Sequence, residues 1–196
     1  MSGIMRRFWV LVVLGVTLWP ATGQPAAAAS LALTEREQQD AIRLGRKSVV
    51  NEAFGGEWTS LNGAGETLTV VTPFHRLALA ARNAAFKKEP LKPRGISSVL
   101  KETTGKLTVW VTLRGAKSDF ARFLEPALLD GKAEIKPSFV QNERTALRGE
   151  DGRYAARCLY VFPAETLNPK GRFTLIVRDP DEKEVSKFTL DLSAMR

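Results

Sequence analysis

Histidine and cysteine are nearly absent from this chain of 196 residues, which contains one of each. Their scarcity excludes a zinc site built from Cys and His side chains, an iron–sulfur cluster held by the chain's own thiolates, and an internal disulfide. The glycines form neither a dinucleotide-binding loop nor a phosphate-binding loop ahead of a helix. The sequence therefore predicts no metal and no cofactor.

The remaining composition is that of an ordinary globular protein. Hydrophobic residues make up 44% of the chain and charged residues 26%, proportions that exclude gross disorder. Lysine and arginine number 29 against 21 aspartates and glutamates, which gives a formal net charge of +8. A chain with this excess of positive charge attracts anionic partners.

Residues 1–29 have the composition of a secretory signal peptide. Two arginines precede a 12-residue apolar run, and the segment closes on small residues up to Ala29. An uncleaved membrane anchor is the alternative, but a transmembrane helix needs about 20 apolar residues. We therefore expect an exported product, periplasmic or secreted, with no membrane span in the mature chain. Export also argues against nucleic acid as a partner.

A first helix is expected soon after the predicted signal peptide. Thr34 and Glu37 have the spacing of a capping box, in which a hydroxyl and a carboxylate each accept a backbone N–H at the helix start. Apolar positions then recur at intervals of three and four as far as Ala53, and two consecutive glycines follow as a stop signal. The predicted helix covers most of residues 34–53.

The rest of the N-terminal half predicts one strand and a second helix. Residues 67–72 are rich in β-branched side chains, which strands favour. Thr72 followed by a proline has the pattern of a helix N-cap, and the alanine-rich stretch 74–88 continues as a helix. On a helical wheel, His75 falls with the cationic residues on one polar face. A short helical turn is expected over residues 96–102.

From residue 106 the pattern changes to the period of two that half-buried strands require. Leu107 begins an alternation of apolar and polar positions. Further strands are expected over residues 134–142, 154–162, 173–177 and 185–192. Pro137 marks an edge or a bulge in the first of these. Residues 120–129 fit a strand, an irregular crossover or a helix interrupted by a proline.

These elements predict an α+β protein. Its expected architecture is N-terminal helices packed on or beside a mainly antiparallel, immunoglobulin-like β-sandwich, because several short strands with turn residues between them follow the helices. The expected domains are a helical segment with one strand over residues 30–105 and the β-sandwich over residues 106–196. The alternative is a single domain over residues 30–196. Cys158 lies on an apolar strand face, so we expect it to be buried.

Basic residues are concentrated in the second helix and the stretch after it. Six cations occur within 19 positions, interrupted by a single acid, Glu89: Arg76, Arg82, Lys87, Lys88, Lys92 and Arg94. Such a segment carries a local positive field. Outside the cytoplasm the available anions are lipid headgroups, acidic glycans and acidic protein surfaces. These six residues are therefore the candidate binding site for an anionic partner, which is an envelope protein, a glycan or a lipid.

No catalytic set can be named from the sequence. His75 is the one side chain that titrates near neutral pH without a perturbed pKa, but no Gly-x-Ser-x-Gly elbow accompanies it. The carboxylates of residues 179–184 fall in a predicted hairpin turn, where such residues are common. Trp110 lies on the polar face of its strand, so it either marks an interface or is covered by the N-terminal helices.

The sequence supports three hypotheses for function. The first is an exported, non-enzymatic envelope protein that binds an anionic or protein partner. The second is a structural or assembly subunit that binds another protein through a sandwich edge strand, near Pro137 or along the last strand. The third is an envelope hydrolase built from scattered carboxylates and His75. The ligand and the oligomeric state are not determined by the sequence.

Overall fold

The structure is a computed structural model that describes residues 31–165 and 167–196. The signal peptide predicted over residues 1–29 lies outside the described residues. Three α-helices are present in the described part: α1 (Glu35–Lys47), α2 (Pro73–Phe86) and α3 (Pro93–Thr103). It also contains ten strands: β1 (Thr59–Leu61), β2 (Thr67–Val71), β3 (Lys106–Gly115), β4 (Glu125–Asp130), β5 (Ala133–Ile135), β6 (Phe139–Gln141), β7 (Leu147–Arg148), β8 (Tyr154–Pro163), β9 (Arg172–Arg178) and β10 (Glu184–Asp191).

The strands form two antiparallel sheets, here called the first and the second sheet. In the first sheet the strand order is β1-β2-β3-β8-β6, and the short β7 also pairs with β8. In the second sheet the order is β10-β9-β4-β5. The predicted combination of N-terminal helices with antiparallel strands is confirmed at this level.

The first sheet contains strands from both halves of the chain. β2 pairs with β3 from Thr67 opposite Thr112 to Val71 opposite Thr108, and β3 pairs with β8 along its whole length. The N-terminal half supplies two strands to this sheet, β1 and β2, where the sequence predicted one. The three-residue β1 is too short to show a period of two, which is why the pattern misses it.

Both sheets contribute alternate side chains to one apolar core. On β3 the buried positions are Leu107, Val109, Val111 and Leu113, as the alternation predicts. Cys158 on β8 is also buried, as expected. Burial raises the pKa of the Cys158 thiol, so this side chain stays protonated and unreactive.

Side-chain caps set the starts of α1 and α2 where the sequence predicts them. Thr34 Oγ1 accepts the N–H of Glu37, and the Glu37 carboxylate accepts the N–H of Thr34 at 2.7 Å. Thr72 Oγ1 accepts the N–H of His75 at 3.0 Å, with Pro73 at the first position of α2. Both predicted helix starts are confirmed.

The predicted end of the first helix is wrong. α1 ends at Lys47, well before Ala53. The N–H of Ser48 bonds to the carbonyl of Gly45, and the N–H of Asn51 bonds to the carbonyl of Ser48, so the chain continues in turns. Two β-branched valines between these turns weaken the helical preference, although the apolar spacing continues through them.

The single strand predicted over residues 134–142 is also wrong, because this stretch forms two strands in different sheets. β5 pairs with β4 in the second sheet, whereas β6 pairs with β8 in the first. Pro137 lies in the connection between them, where its missing N–H removes no ladder hydrogen bond. The proline therefore marks a crossover between sheets. Residues 120–129, left open by the sequence, form turns followed by β4.

Candidate functional site

The structure divides the six predicted site cations into two groups, and Arg82 belongs to the internally bonded group. Its Nε donates to the carbonyl of Ser48 at 2.9 Å, and its guanidinium lies over the Phe54 ring, 4.9 Å from the ring centroid. A further bond reaches the carbonyl of Asn51 at 3.3 Å. Arg82 therefore fastens the turns after α1 to α2 rather than facing a partner.

Arg76 is also engaged within the chain. Its guanidinium pairs with the Glu102 carboxylate of α3 at 3.4 Å, and both side chains are partly exposed. An exposed ion pair of this kind contributes about 1 kcal/mol or less. Arg76 can therefore exchange Glu102 for another anion at little cost.

The other four predicted cations lie in and beside the connection between α2 and α3. Within residues 31–165 and 167–196 none of these exposed side chains forms an ion pair: Lys87, Lys88, Lys92 and Arg94. Phe86, the last residue of α2, is 75% exposed beside them. We call residues 86–94 the basic loop. It presents four unpaired cations and one exposed aromatic ring.

Lys88 has a backbone conformation that favours glycine. Its φ of 58° lies in the left-handed region. The N–H of Lys88 bonds to the carbonyl of Ala85, and the N–H of Glu89 bonds to the carbonyl of Ala84, which is the pattern of a Schellman motif at a helix C-terminus. A residue with a side chain costs about 1 kcal/mol more than glycine in this conformation. The chain keeps a cation where glycine would be more stable.

A second feature lies on the outer face of the first sheet, around Trp110. Trp110 of β3 is opposite Thr69 of β2 and opposite Leu159 of β8, so the three residues form one row across the sheet. Arg157 lies on the same face, two residues before Leu159. Its Cζ atom is 4.5 Å from the centroid of the Trp110 ring. The row therefore carries a cation stacked on an aromatic ring.

Helices α2 and α3 lie beside this outer face, and a groove remains between the two helices and the sheet. Arg76 and Leu79 of α2 line the groove, together with Glu102 and Thr103 of α3. Its volume is about 460 Å³, which is within the range of small-molecule sites. Trp110 on the floor is half-buried, so the helices cover it in part. We call this cleft the Trp110 groove.

His75 also lines the Trp110 groove, but its ring is buried, so its predicted place on an exposed polar helix face is wrong. The ring stacks on Trp58 with the centroids 4.3 Å apart, and Nδ1 lies 3.0 Å from the carbonyl oxygen of Val70. Because a carbonyl oxygen can only accept, Nδ1 carries the proton. Nε2 is then an acceptor, and the described residues provide it with no partner. A helical wheel records polarity but not the aromatic partner that buries this ring.

The buried His75 makes stability depend on pH below neutrality. Burial lowers the pKa of His75, and Arg76 acts in the same direction, whereas the Val70 carbonyl and Glu57 oppose it. The folded state therefore binds this proton less readily than the unfolded chain does. The stabilising contribution is complete above the ordinary pKa of histidine, about 6.5, and is lost as pH falls below it.

We therefore expect the urea concentration at the unfolding midpoint of the natural chain to decrease when the pH is lowered from about 7.5 to about 5.5. His75→Gln should show a flatter dependence, because His75 is the one histidine and most carboxylates stay ionised in this range. Unfolding curves of the two proteins at both pH values measure the difference. An equal change of the urea midpoint with pH in the two proteins would contradict the role of His75 in this pH dependence.

The carboxylates that the sequence places in a hairpin serve the turn between β9 and β10. Asp179 Oδ1 accepts the N–H of Asp181 and the N–H of Lys183, each at 3.0 Å. In the described ranges, no group of three or more His, Cys, Asp or Glu side chains is arranged to hold a metal ion. Nor does any helix of residues 31–165 and 167–196 combine the length and apolar character needed to cross a membrane.

Comparisons with known proteins give weak structural likenesses. No family model and no curated sequence matches the chain. A solved structure of a Burkholderia pseudomallei protein of unknown function has a TM-score of 0.41 at 11% identity, over 83% of this chain and 92% of its own. An IgNAR antibody domain C3 has a TM-score of 0.33 at 14% identity, over 68% of this chain and 96% of its own. Neither likeness assigns a function.

Sequence reasoning does not identify Arg157 as a site residue. Trp110 stands out as an aromatic residue on a polar strand face, and that signal is visible in the sequence. Arg157, however, lies on a strand 47 positions further along the chain, and only the pairing register of β3 with β8 brings the two together. Register across a long connection leaves no local pattern.

Proposed function

We propose that this is an exported, non-enzymatic envelope protein that binds an anionic surface through the basic loop. The observation that supports the proposal is the set of four exposed cations that lack an ion pair in the described part of the chain, beside the exposed Phe86. In this proposal the two sheets form an immunoglobulin-like sandwich that serves as the scaffold. The predicted signal peptide supports a periplasmic or secreted location.

An anionic lipid surface fits the basic loop better than other anions do. Each lysine or arginine near an anionic bilayer contributes about 1 kcal/mol of attraction. An aromatic side chain gains further by entering the interfacial layer, and Phe86 is exposed at the end of α2 beside these cations. A soluble glycan offers negative charge but no apolar layer. Lipid headgroups are therefore the proposed partner of the basic loop.

The backbone at Lys88 provides independent support. A left-handed residue at the end of a helix is usually glycine, which avoids the steric cost of a side chain. Non-glycine residues held in such conformations are enriched at functional sites. In this proposal the ammonium group of Lys88 extends the run of cations in the basic loop, and that charge is the reason for a lysine at this position.

Co-sedimentation with lipid vesicles tests the proposal. The purified protein should bind vesicles of equal parts phosphatidylglycerol and phosphatidylcholine and should not bind phosphatidylcholine alone. Binding should weaken strongly between about 0.05 and 0.5 M salt, because the screening length shortens several-fold. Replacing the four loop cations together by glutamine should lower the binding constant at least about tenfold. The single variant Lys88→Gly should bind more weakly yet unfold at a higher temperature.

A second quadruple variant separates the loop from net charge. It changes four exposed lysines elsewhere, none of which forms an ion pair within the described residues, to glutamine: Lys117, Lys132, Lys170 and Lys187. This control removes the same charge and should bind nearly as well as the natural chain. An equal loss in both variants would show that the basic loop is not the site. Binding to dissolved polygalacturonate but not to vesicles would make the partner a glycan.

One edge of the first sheet supports the second candidate function, binding of another protein by strand addition. β6 is the last strand on that side of the sheet, and its Phe139 and Val140 are 49% and 40% exposed. Leu147 of β7, which pairs with the same neighbour, is 74% exposed. Apolar side chains on an open edge suit a partner strand. Such binding should resist salt, because backbone ladders are screened less than surface charges.

A further inference from the structure

The Trp110 groove contains an arginine that lacks an acidic partner. No carboxylate in the part of the chain that the structure describes pairs with the guanidinium of Arg157, which lies over the Trp110 ring. The Glu143 carboxylate accepts the backbone N–H of Arg157 at 2.6 Å, not its side chain. A guanidinium carries its N–H donors in one plane, which matches the oxygens of a carboxylate or phosphate group. The exposed Arg157 guanidinium, above the Trp110 floor of the groove, is therefore suited to an anion.

The remaining groups in the groove suit hydroxyl groups and an apolar ring face. Nε2 of His75 can accept a hydrogen bond and has no partner among the described residues, and the residue as a whole is 7% exposed. Thr108 adds a hydroxyl that makes no hydrogen bond within residues 31–165 and 167–196. Leu79, Leu159 and the uncovered part of Trp110 provide apolar surface. A matching ligand thus has one acidic group, several hydroxyls and an apolar face.

We propose that the Trp110 groove binds one acidic sugar unit. Its carboxylate or phosphate contacts Arg157, and one of its hydroxyls donates to Nε2 of His75. A volume of about 460 Å³ accommodates a ligand of this size. The groove and the basic loop share no residue, so this inference goes beyond the proposed function and either can fail alone.

Arg76 and Glu102 adjust the groove to the ligand. They are the other charged side chains that line it, and they pair with each other at 3.4 Å. With Arg157 included, the lining carries two positive charges and one negative charge. An acidic ligand therefore meets a net attraction, and Glu102 can still accept a second ligand hydroxyl.

Calorimetric titration of the purified protein with matched small ligands tests the proposal. The probes are glucuronate, glucose 6-phosphate, glucose and inorganic phosphate. Glucuronate or glucose 6-phosphate should bind at least tenfold more tightly than both glucose and inorganic phosphate. The tighter of the two sugars identifies the source of the negative charge as a carboxylate or a phosphate.

Matched variants locate the binding. Arg157→Gln should weaken the binding of the sugar acid at least tenfold, and Thr108→Val should weaken it severalfold. Arg122→Gln is the control, because Arg122 also stacks on an aromatic ring, Phe123, at 5.3 Å but outside the groove. It should bind as the natural chain does. Thermal unfolding of all variants confirms that they are folded.

Three results would overturn the proposal. One is equal affinity for glucose and for the two sugar acids, and another is equal affinity for inorganic phosphate, which would leave a simple anion site. The third is an absence of heat from every probe at about 10 mM with the folded protein. None of these results bears on vesicle binding by the basic loop.

Discussion

Replacing Gly45 with alanine is expected to lower the free energy of unfolding by about 3 kcal/mol. Gly45 lies on the buried face of α1, where this helix touches α2. A Cβ atom added there would lie 2.9 Å from both the Cβ of Ala81 and the backbone nitrogen of Arg82, and closer still to the carbonyl oxygen of Ala78. Backbone atoms of a helix cannot move aside as a flexible side chain can, so the two helices must separate.

Urea denaturation distinguishes this contact from helix propensity, which predicts the opposite sign. Alanine in a helix interior is about 1 kcal/mol more favourable than glycine. Gly95→Ala in α3 is the matched control, because its added Cβ meets the tip of the Leu91 side chain at 3.3 Å and no backbone. The control should be unchanged or more stable. A Gly45→Ala protein as stable as the natural one would show that α1 and α2 do not meet at this glycine.

Replacing Glu66 with alanine is expected to cost about 4 kcal/mol, because it leaves two donors without an acceptor and removes the shortest hydrogen bond of a third, the Asn62 amide. Glu66 is 4% exposed. Its Oε1 accepts the backbone N–H of Arg114 on β3 at 2.9 Å. Its Oε2 accepts the Asn62 amide at 2.7 Å and the Ser186 hydroxyl, on β10, at 2.5 Å. One buried carboxylate thus connects the first sheet to the second.

A graded series of variants measures the Glu66 contribution. Glu66→Gln keeps the shape and one acceptor oxygen but turns an N–H₂ group toward a donor, so it should lose about half as much as the alanine variant. Glu125→Ala removes an exposed carboxylate from β4 and should change stability by about 0.5 kcal/mol or less. If Glu66→Ala and Glu125→Ala lowered the urea midpoint equally, Glu66 would not connect the two sheets.

The parts of the fold that sequence reasoning predicts correctly depend on neighbours in the chain. The capping box at Thr34, the N-cap at Thr72 and the alternation that begins at Leu107 each involve residues within a few positions of one another. Local hydrogen bonds and a repeating period are therefore visible in the sequence. The two wrong predictions are the end of α1 and the single strand through Pro137. In both places the apolar spacing continues while the backbone changes direction.

The candidate site is predicted less well than the fold. A count of basic residues finds Arg82, but it cannot show that the carbonyls of Ser48 and Asn51 occupy this side chain. The same count finds the cations of the basic loop, whose side chains are exposed and make no ion pair in the described residues. It misses Arg157, because a single arginine on a strand is unremarkable until Trp110 lies beneath it.

By itself the sequence determined the starts of the helices, the alternating strands, the buried Cys158 and the excess of basic residues, since each follows from composition or from contacts over a few positions. The tertiary structure alone decided which cations remain unpaired, where the ring of His75 lies and which side chains line the Trp110 groove. Those outcomes depend on strand register and helix packing between residues distant in the chain. Many pairings are compatible with the same local pattern, and packing of the whole chain selects among them.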